Sequence, residues 1–250
     1  MATDVMGVSG RAILKALMEG ERDPQVLAEL SKGRLRNKKA DLELALQGLF
    51  RPHHVLLLTE ILLHLDYLEE SIARLEEQIE VMCRPFWREI ELLDTITGVD
   101  KRSAQDMLAE IGVNMGQFPS HKHLCSWAGM SPGNNESAGK RKSGRTTKGN
   151  KWLQSILVEC AQAAGHTKDT YLGAQYHRLA GRKGSQRAAV AVGHSILEAA
   201  FFIIRDKVPY KELGANHFDQ INKKHLTRYH LRKLESLGYK VELEELPLAA

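Results

Sequence analysis

The sequence is poor in several things that would decide its class early. It has only three cysteines, Cys83, Cys125 and Cys160, in 250 residues, and none stands in a CxxC pair. An odd number of widely spaced thiols excludes a disulfide scaffold and a thiolate zinc site, and predicts reduced cysteines in a cytoplasmic protein. Aromatic residues make up 6% and prolines number seven. With abundant Leu, Ala, Glu and Lys, that scarcity favours helices over a sheet sandwich. No basic segment followed by an apolar core opens the chain, so no signal peptide is expected. The longest apolar run, Ala188 to Ile204, carries His194, Ser195 and Glu198 and falls short of a comfortable bilayer span. It reads as a buried helix. Hydrophobic residues at 43% and charged residues at 26% exclude intrinsic disorder.

What is present is an uneven distribution of charge. The net charge is only +4, yet residues 55–83 carry seven acids against Arg74, and residues 133–187 carry eleven bases against three acids. An acidic segment and a basic one suggest two separate tasks, and the basic one points to a phosphate-rich partner.

Residues 1–52 read as short helices. Ser9 is a candidate N-cap for a helix ending before Gly20, and Asp23-Pro24 opens a second helix with proline at its first position. Gly33 separates that one from a third helix through Leu42, Leu46 and Leu49. Residues 53–84 give the clearest structural signal. Leu58, Ile61, Leu65, Leu68, Ile72, Leu75, Ile79 and Met82 are spaced alternately by three and four. This heptad seam predicts a helix that pairs with another helix, and so a homo-oligomer through a coiled coil. Arg84-Pro85 ends it.

The remaining segment, 85–250, is expected to be one domain. Residues 92–112 look like a helix-hairpin-helix, in which turn amides at a helix N-terminus can contact phosphate. Asp100 places a negative charge where that phosphate would sit, so the turn is expected to serve packing. Residues 121–127 form a short helix capped by Ser120, with Leu124 and Trp127 inward. His121 and His123 should lie on different faces at the surface, a spacing unsuited to a shared metal. Residues 129–150, GMSPGNNESAGKRKSGRTTKGN, hold five glycines and five basic residues without apolar periodicity. They read as a long basic loop, and loops of that length are usually functional or disordered. The helix after it should bury Trp152, Leu153, Ile156, Leu157 and Cys160. Tyr171, Tyr176, Arg178, Arg182, Lys183 and Arg187 form a basic stretch with aromatic interleaving. It could track a nucleic-acid backbone, although both tyrosines also suit a core. Residues 223–237 look like a basic helix, followed by a short strand at Tyr239–Leu243.

The order of residues carries more than the composition. The run SWAGMSPGNNESAGKRKSGRTTKGNKWLQSILVECA resembles the C-terminal domain of the bridge-RNA-guided insertion-sequence transposases, which pair a RuvC-like acidic domain with a serine-bearing domain. The likeness rests on Gly129, Met130 and Pro132, on Ser137, Gly139 and Lys140, and on Lys148, Gly149 and Asn150. It continues through residues 92–112, apart from Thr97 and Asp100, and through 164–206 and the tail. The resemblance implies DNA transposition with Ser137 as the nucleophile on a DNA phosphodiester, and Ser143 fits the family spacing less well. Lys140, Arg141, Lys142, Arg145, Lys148, Lys151, Arg182, Lys183 and Arg187 are the expected nucleic-acid contacts. The implied partners are DNA, a structured guide RNA, a second copy of the chain and an acidic domain supplied in trans. No cofactor is expected within this chain, with Mg2+ belonging to that acidic domain, and the chain reads as an N-terminally truncated member. The alternative is a non-catalytic, dimeric nucleic-acid-binding protein that regulates an intact transposase. The expected fold is mainly α: a long coiled-coil helix, a helix-hairpin-helix-like pair and a basic Gly-rich loop in a helical C-terminal domain.

Overall fold

The computed structural model describes residues 4–133, 135–221, 223–241 and 243, and it is mainly helical. The chain divides into two compact units, Met1–Met82 and Cys83–Ala250.

In the first unit, α1 (Val8–Met18), α2 (Pro24–Glu29) and α3 (Lys39–Leu46) surround a small core of Ile13, Leu27, Ala28 and Leu42. Asp23 caps α2 by accepting the N–H of Gln25, and Pro24 sits at the first position. There the missing donor costs nothing. Ser9 does not cap α1, whose N-cap is Gly7; its hydroxyl instead accepts the N–H of Lys32. The third helix ends at Leu46, and Leu49 lies beyond it, exposed. Helix α4 (Pro52–Cys83) is 32 residues long and buries none of them. Leu58 and Leu65 are half-buried, while Ile61, Leu68, Ile72, Leu75, Ile79 and Met82 are all exposed. Arg11 of α1 pairs with Asp66 at 3.0 Å and with Glu69, holding α1 along the acidic flank of α4.

The second unit has a continuous core. It is built by α5 (Trp87–Asp94), α6 (Lys101–Ile111), α7 (His121–Trp127), α8 (Lys151–His166), α9 (Tyr171–Lys183) and α10 (Ser185–Asp206). Helix α10 is its centre, because Ala188, Ala189, Gly193 and Ala200 on its buried side let neighbouring backbones approach. At Gly193 an added Cβ would lie 2.7 Å from the Met130 methyl. The helix is longer than its apolar run and, at 22 residues, long and apolar enough to cross a membrane. It instead spends most of that surface on the protein core, burying ten residues.

The turn between α5 and α6 is a packing element, as Asp100 suggests. Asp100 caps α6, accepting the Ser103 N–H at 2.8 Å. Hydrogen bonds from Ser103 hold its carboxyl below the usual range. Gly98 has φ +87, and a Cβ there would lie 2.4 Å from the Cys160 carbonyl oxygen on α8. The turn therefore meets α8. The three cysteines are free. Burial, with the Glu198 carboxylate nearby, pushes the Cys125 thiol up to about 12, which makes it a packing group and not a reactive one.

Past α10 the chain straps back across the unit. Glu212 accepts from the Tyr171 N–H at 2.7 Å and from the Thr97 hydroxyl at 3.0 Å, and the Tyr210 N–H donates to Thr95. Tyr171 stacks on Phe218 of α11 (His217–Ile221), and both Tyr171 and Tyr176 pack against the core. Helix α12 (Lys223–Ser236) matches the basic helix read from sequence. The expected strand after it is not formed at 239–241 or 243, and Glu242 lies outside the described residues.

Candidate nucleic-acid interface

The basic segment expected as a long loop is a β-hairpin. Strand β1 (Asn135–Ser137) pairs antiparallel with β2 (Lys140–Ser143), and Pro132 bridges Thr146 nearer the base. The Gly133 N–H donates to the Arg145 carbonyl at 2.8 Å. Two residues make the turn, Ala138 at φ +51 and Gly139 at φ +73. Positive φ at both central positions is the turn geometry that matches strand twist, and glycine enters it without a Cβ penalty. The sequence hid this hairpin because its strands are short and lack apolar alternation, the usual strand signal.

The hairpin stands on a narrow neck. A Cβ on Gly149 would lie 2.3 Å from the Ala128 carbonyl carbon and from the Gly129 nitrogen. On Gly129, at φ +71, it would lie 2.3 Å from Gln154 Nε2 and 2.8 Å from the Thr147 oxygen. Backbone passes against backbone here, so neither position admits a side chain. Four side chains fix the neck to the helices beneath. Met130 is buried beside Gly193 of α10. Gln154 Nε2 donates to the Ala128 carbonyl at 2.9 Å. Asn150 caps α8, its Oδ1 accepting from the Trp152 and Leu153 N–H groups, and its Nδ2 donates to Glu110 of α6. Gly129, Gly149 and Asn150 of the sequence motif are thus anchors, while Gly139 makes the turn. Asn150 was singled out only as part of the Lys148-Gly149-Asn150 motif, and Glu110 and Gln154 carried no sequence signal, because their role depends on which helices meet.

The anchored ends leave an exposed, cationic outer part. Ser137 is exposed, directly across the ladder from Lys140, which is exposed too. Lys148 at the neck and Lys151 at the start of α8 are exposed, as is Arg145. The side chains of Arg141, Lys142 and the rival Ser143 lie outside the described residues; their backbones run along β2. Arg182, Lys183 and Arg187 are exposed and form a second cationic group, where Gly184 (φ +85) turns α9 into α10. The structure therefore joins Ser137 to the hairpin bases through one ribbon and sets the other three on the α9–α10 junction. Among the described residues no group of three His, Cys, Asp or Glu stands together to hold a metal ion.

Three expectations near the neck are corrected. Trp127 is not inward: it is 46% exposed, tilted against Phe118 with ring centroids 5.6 Å apart. Its helix α7 is only two turns long, and Leu124 and Cys125 take the core positions. Trp152 is 75% exposed on the first turn of α8, where Leu153 and Leu157 face inward instead. His121 is not a free surface histidine. Its Nε2 lies 3.1 Å from Glu198 of α10, and its ring meets Phe201 and Phe202. Only His123 is exposed, its ring nitrogen meeting the Ser120 hydroxyl, which leaves α7 without a side-chain cap.

Residues 90–178, from α5 through the hairpin into α9, match the Transposase IS116/IS110/IS902 family. A Pseudomonas aeruginosa protein described as a "Probable family 20 transposase" is 32% identical over 108 residues. That stretch is 43% of this chain and 31% of the relative, so the chain spans under a third of that protein's length.

Proposed function

We propose that this chain is a DNA transposase component whose working surface is the hairpin 132–146, with Ser137 as the nucleophile. The family match supports a transposase function for the domain containing the hairpin. The observation that carries the finer reading is the placement of Ser137: exposed, next to the turn, facing Lys140 across the ladder. A serine hydroxyl is a weak nucleophile, so its activation must come from neighbours. Lys140 and the other hairpin bases would stabilise the charge that builds on an attacked phosphate. In the step proposed, Ser137 Oγ bonds to phosphorus as a deoxyribose oxygen leaves, and a DNA end later reverses the exchange. The described residues do not fit Mg2+. The resemblance assigns that ion to an acidic domain, which enters this reading as a partner in trans.

Two further parts belong to the proposal. Arg182, Lys183 and Arg187, with Lys148 and Lys151, extend the cationic surface toward DNA or a structured guide RNA. The heptad seam of α4 pairs two copies of the chain, because an apolar stripe of this length left in water costs free energy that a second helix would recover.

The test is to trap a covalent protein–DNA adduct with the family's acidic domain and Mg2+ supplied. An adduct that survives Ser143→Ala and disappears in Ser137→Ala is the expected result. An adduct that persists in Ser137→Ala rejects the nucleophile. Salt-sensitive DNA binding with no adduct from any variant would leave the non-catalytic, regulatory reading in its place.

A further inference from the structure

Beside the neck of the hairpin, Glu110, Ile111, Gly112, Gln117, Phe118 and Trp127 line a cleft of about 280 Å³. We infer that this cleft is a binding site for one unpaired nucleobase, stacked on Trp127 with the tilted Phe118 ring as its neighbour and read at its amino edge. The inference rests on the proposed action on nucleic acid, and assigns that surface a site the hairpin itself does not contain.

Three observations carry it. Trp127 is a large aromatic left 46% exposed, and unlike the more exposed Trp152 it lines a cleft. An exposed indole in a cleft is a surface on which proteins stack single-stranded bases, since every base has a π-face. Next, the cleft offers acceptors to the edge of a base beside the donors of Gln117 and the Trp127 indole. Glu110 spends one carboxylate oxygen on Asn150 Nδ2, leaving the other. Gln117 gives one Nε2 hydrogen to the Ile111 carbonyl at 2.7 Å, leaving its Oε1 acceptor and a second Nε2 hydrogen that can donate to a ring nitrogen. Acceptors of this kind suit an exocyclic amino group, as when a carboxylate takes the N4 amino of cytosine. They disfavour phosphate, which would meet Glu110 as a like charge. Finally, the Asn150 bond ties the cleft wall to the foot of the hairpin, and the exposed Lys148 and Lys151 flank Asn150 in sequence.

The full chain carries three tryptophans, Trp87, Trp127 and Trp152. Replacing Trp87 and Trp152 by Phe leaves Trp127 as the one fluorescent indole. We would titrate this protein with a ten-residue deoxycytidine oligonucleotide, its deoxythymidine counterpart, and an abasic ten-mer of equal charge. Quenching by the cytidine strand, several-fold weaker affinity for the thymidine strand, and no quenching by the abasic strand are expected. Trp127→Leu, which keeps apolar bulk on a partly exposed site, should weaken cytidine-strand binding about tenfold while duplex DNA binding and Tm stay unchanged. Equal binding of the abasic strand, or an unchanged Trp127→Leu, overturns the base site; equal affinity for cytidine and thymidine strands overturns the amino-edge reading. Salt-dependent duplex binding that survives those failures leaves the proposed function standing. If neither duplex nor single strand binds, both fall together.

Discussion

Helices α4 and α10 are the two longest among the described residues, α4 rich in Leu and α10 in Ala with Ile and Phe, yet they meet opposite fates. The 32 residues of α4 include none that is buried, whereas α10 buries ten of 22. The difference lies in period and side-chain size. From Leu58 to Met82 a seam of eight apolar residues in α4 follows an alternation of three and four, which draws a line along one side of the helix, with Leu56, Leu57 and Leu63 as further exposed leucines off it. Acids such as Glu69 and Glu76 flank that line. Such a helix can satisfy one partner and no more. In α10 the apolar positions cover more than half the circumference, and Ala and Gly alternate with Ile, Leu and Phe. Several helices of the same unit can then pack on it at once. The helix that packs within its own unit is broad and uneven in side-chain size, and the proposed pairing of two copies would use the regular seam of the other.

The sharpest way to break this contrast is to remove bulk from the broad helix. Leu197 is wholly buried at the centre of α10. Leu197→Ala should destabilise the second unit by about 2–5 kcal/mol, through lost burial and the cavity left behind. Chemical denaturation monitored by circular dichroism would measure it. A cost under 1 kcal/mol would mean that α10 is less central than its burial indicates.

The narrow helix should respond in the reverse manner. Ile72 is 53% exposed within its own unit, so Ile72→Lys should change folding stability by no more than about 0.5 kcal/mol. In the proposed pairing, however, it sets a charge in the seam and should weaken self-association at least tenfold, an effect of about 1.4 kcal/mol or more. Sedimentation across a concentration series separates the two. If the unaltered chain sediments as a monomer at every concentration, the seam is no dimer contact.

The same contrast explains what could be read in advance. The long helix α4 was legible from its heptad spacing and the buried α10 from its apolar run. The hairpin was not, since β1 and β2 are short, polar and held by pairing across a turn that Gly139 permits. Composition saw only a basic loop. Trp127 and Trp152 were misplaced for a related reason: large aromatics at helical spacing usually face a core, and both stand on first or last turns, where the helix has outrun its neighbours. The motif residues around Ser137 were visible, but their division into anchors (Gly129, Met130, Gly149, Asn150) and an exposed tip emerges only from which backbones touch.

Polar contacts give the smallest effect and test whether the second unit relies on its core alone. Glu89 on α5 accepts a hydrogen bond from Lys207 Nζ at 2.6 Å, with the Glu89 side chain only 15% exposed and Lys207 38%. Lys207 reaches it from the end of α10 at φ +56. The Lys207 hydrogen bond holds the Glu89 carboxyl below its ordinary value against the opposing effect of burial. A carboxyl depressed in the folded state adds stability above its unfolded pKa of about 4.3 and loses it as the pH falls through the folded value. Glu89→Gln should therefore cost on the order of 1 kcal/mol at pH 7, a modest figure because Lys207 remains solvated. The gap to the unaltered chain should close as the pH drops below about 4. A gap that persists in acid would show that the lost contribution is packing of the Glu89 stem and not its charge. The contrast between the two long helices would then extend to the contacts that hold α10 in place.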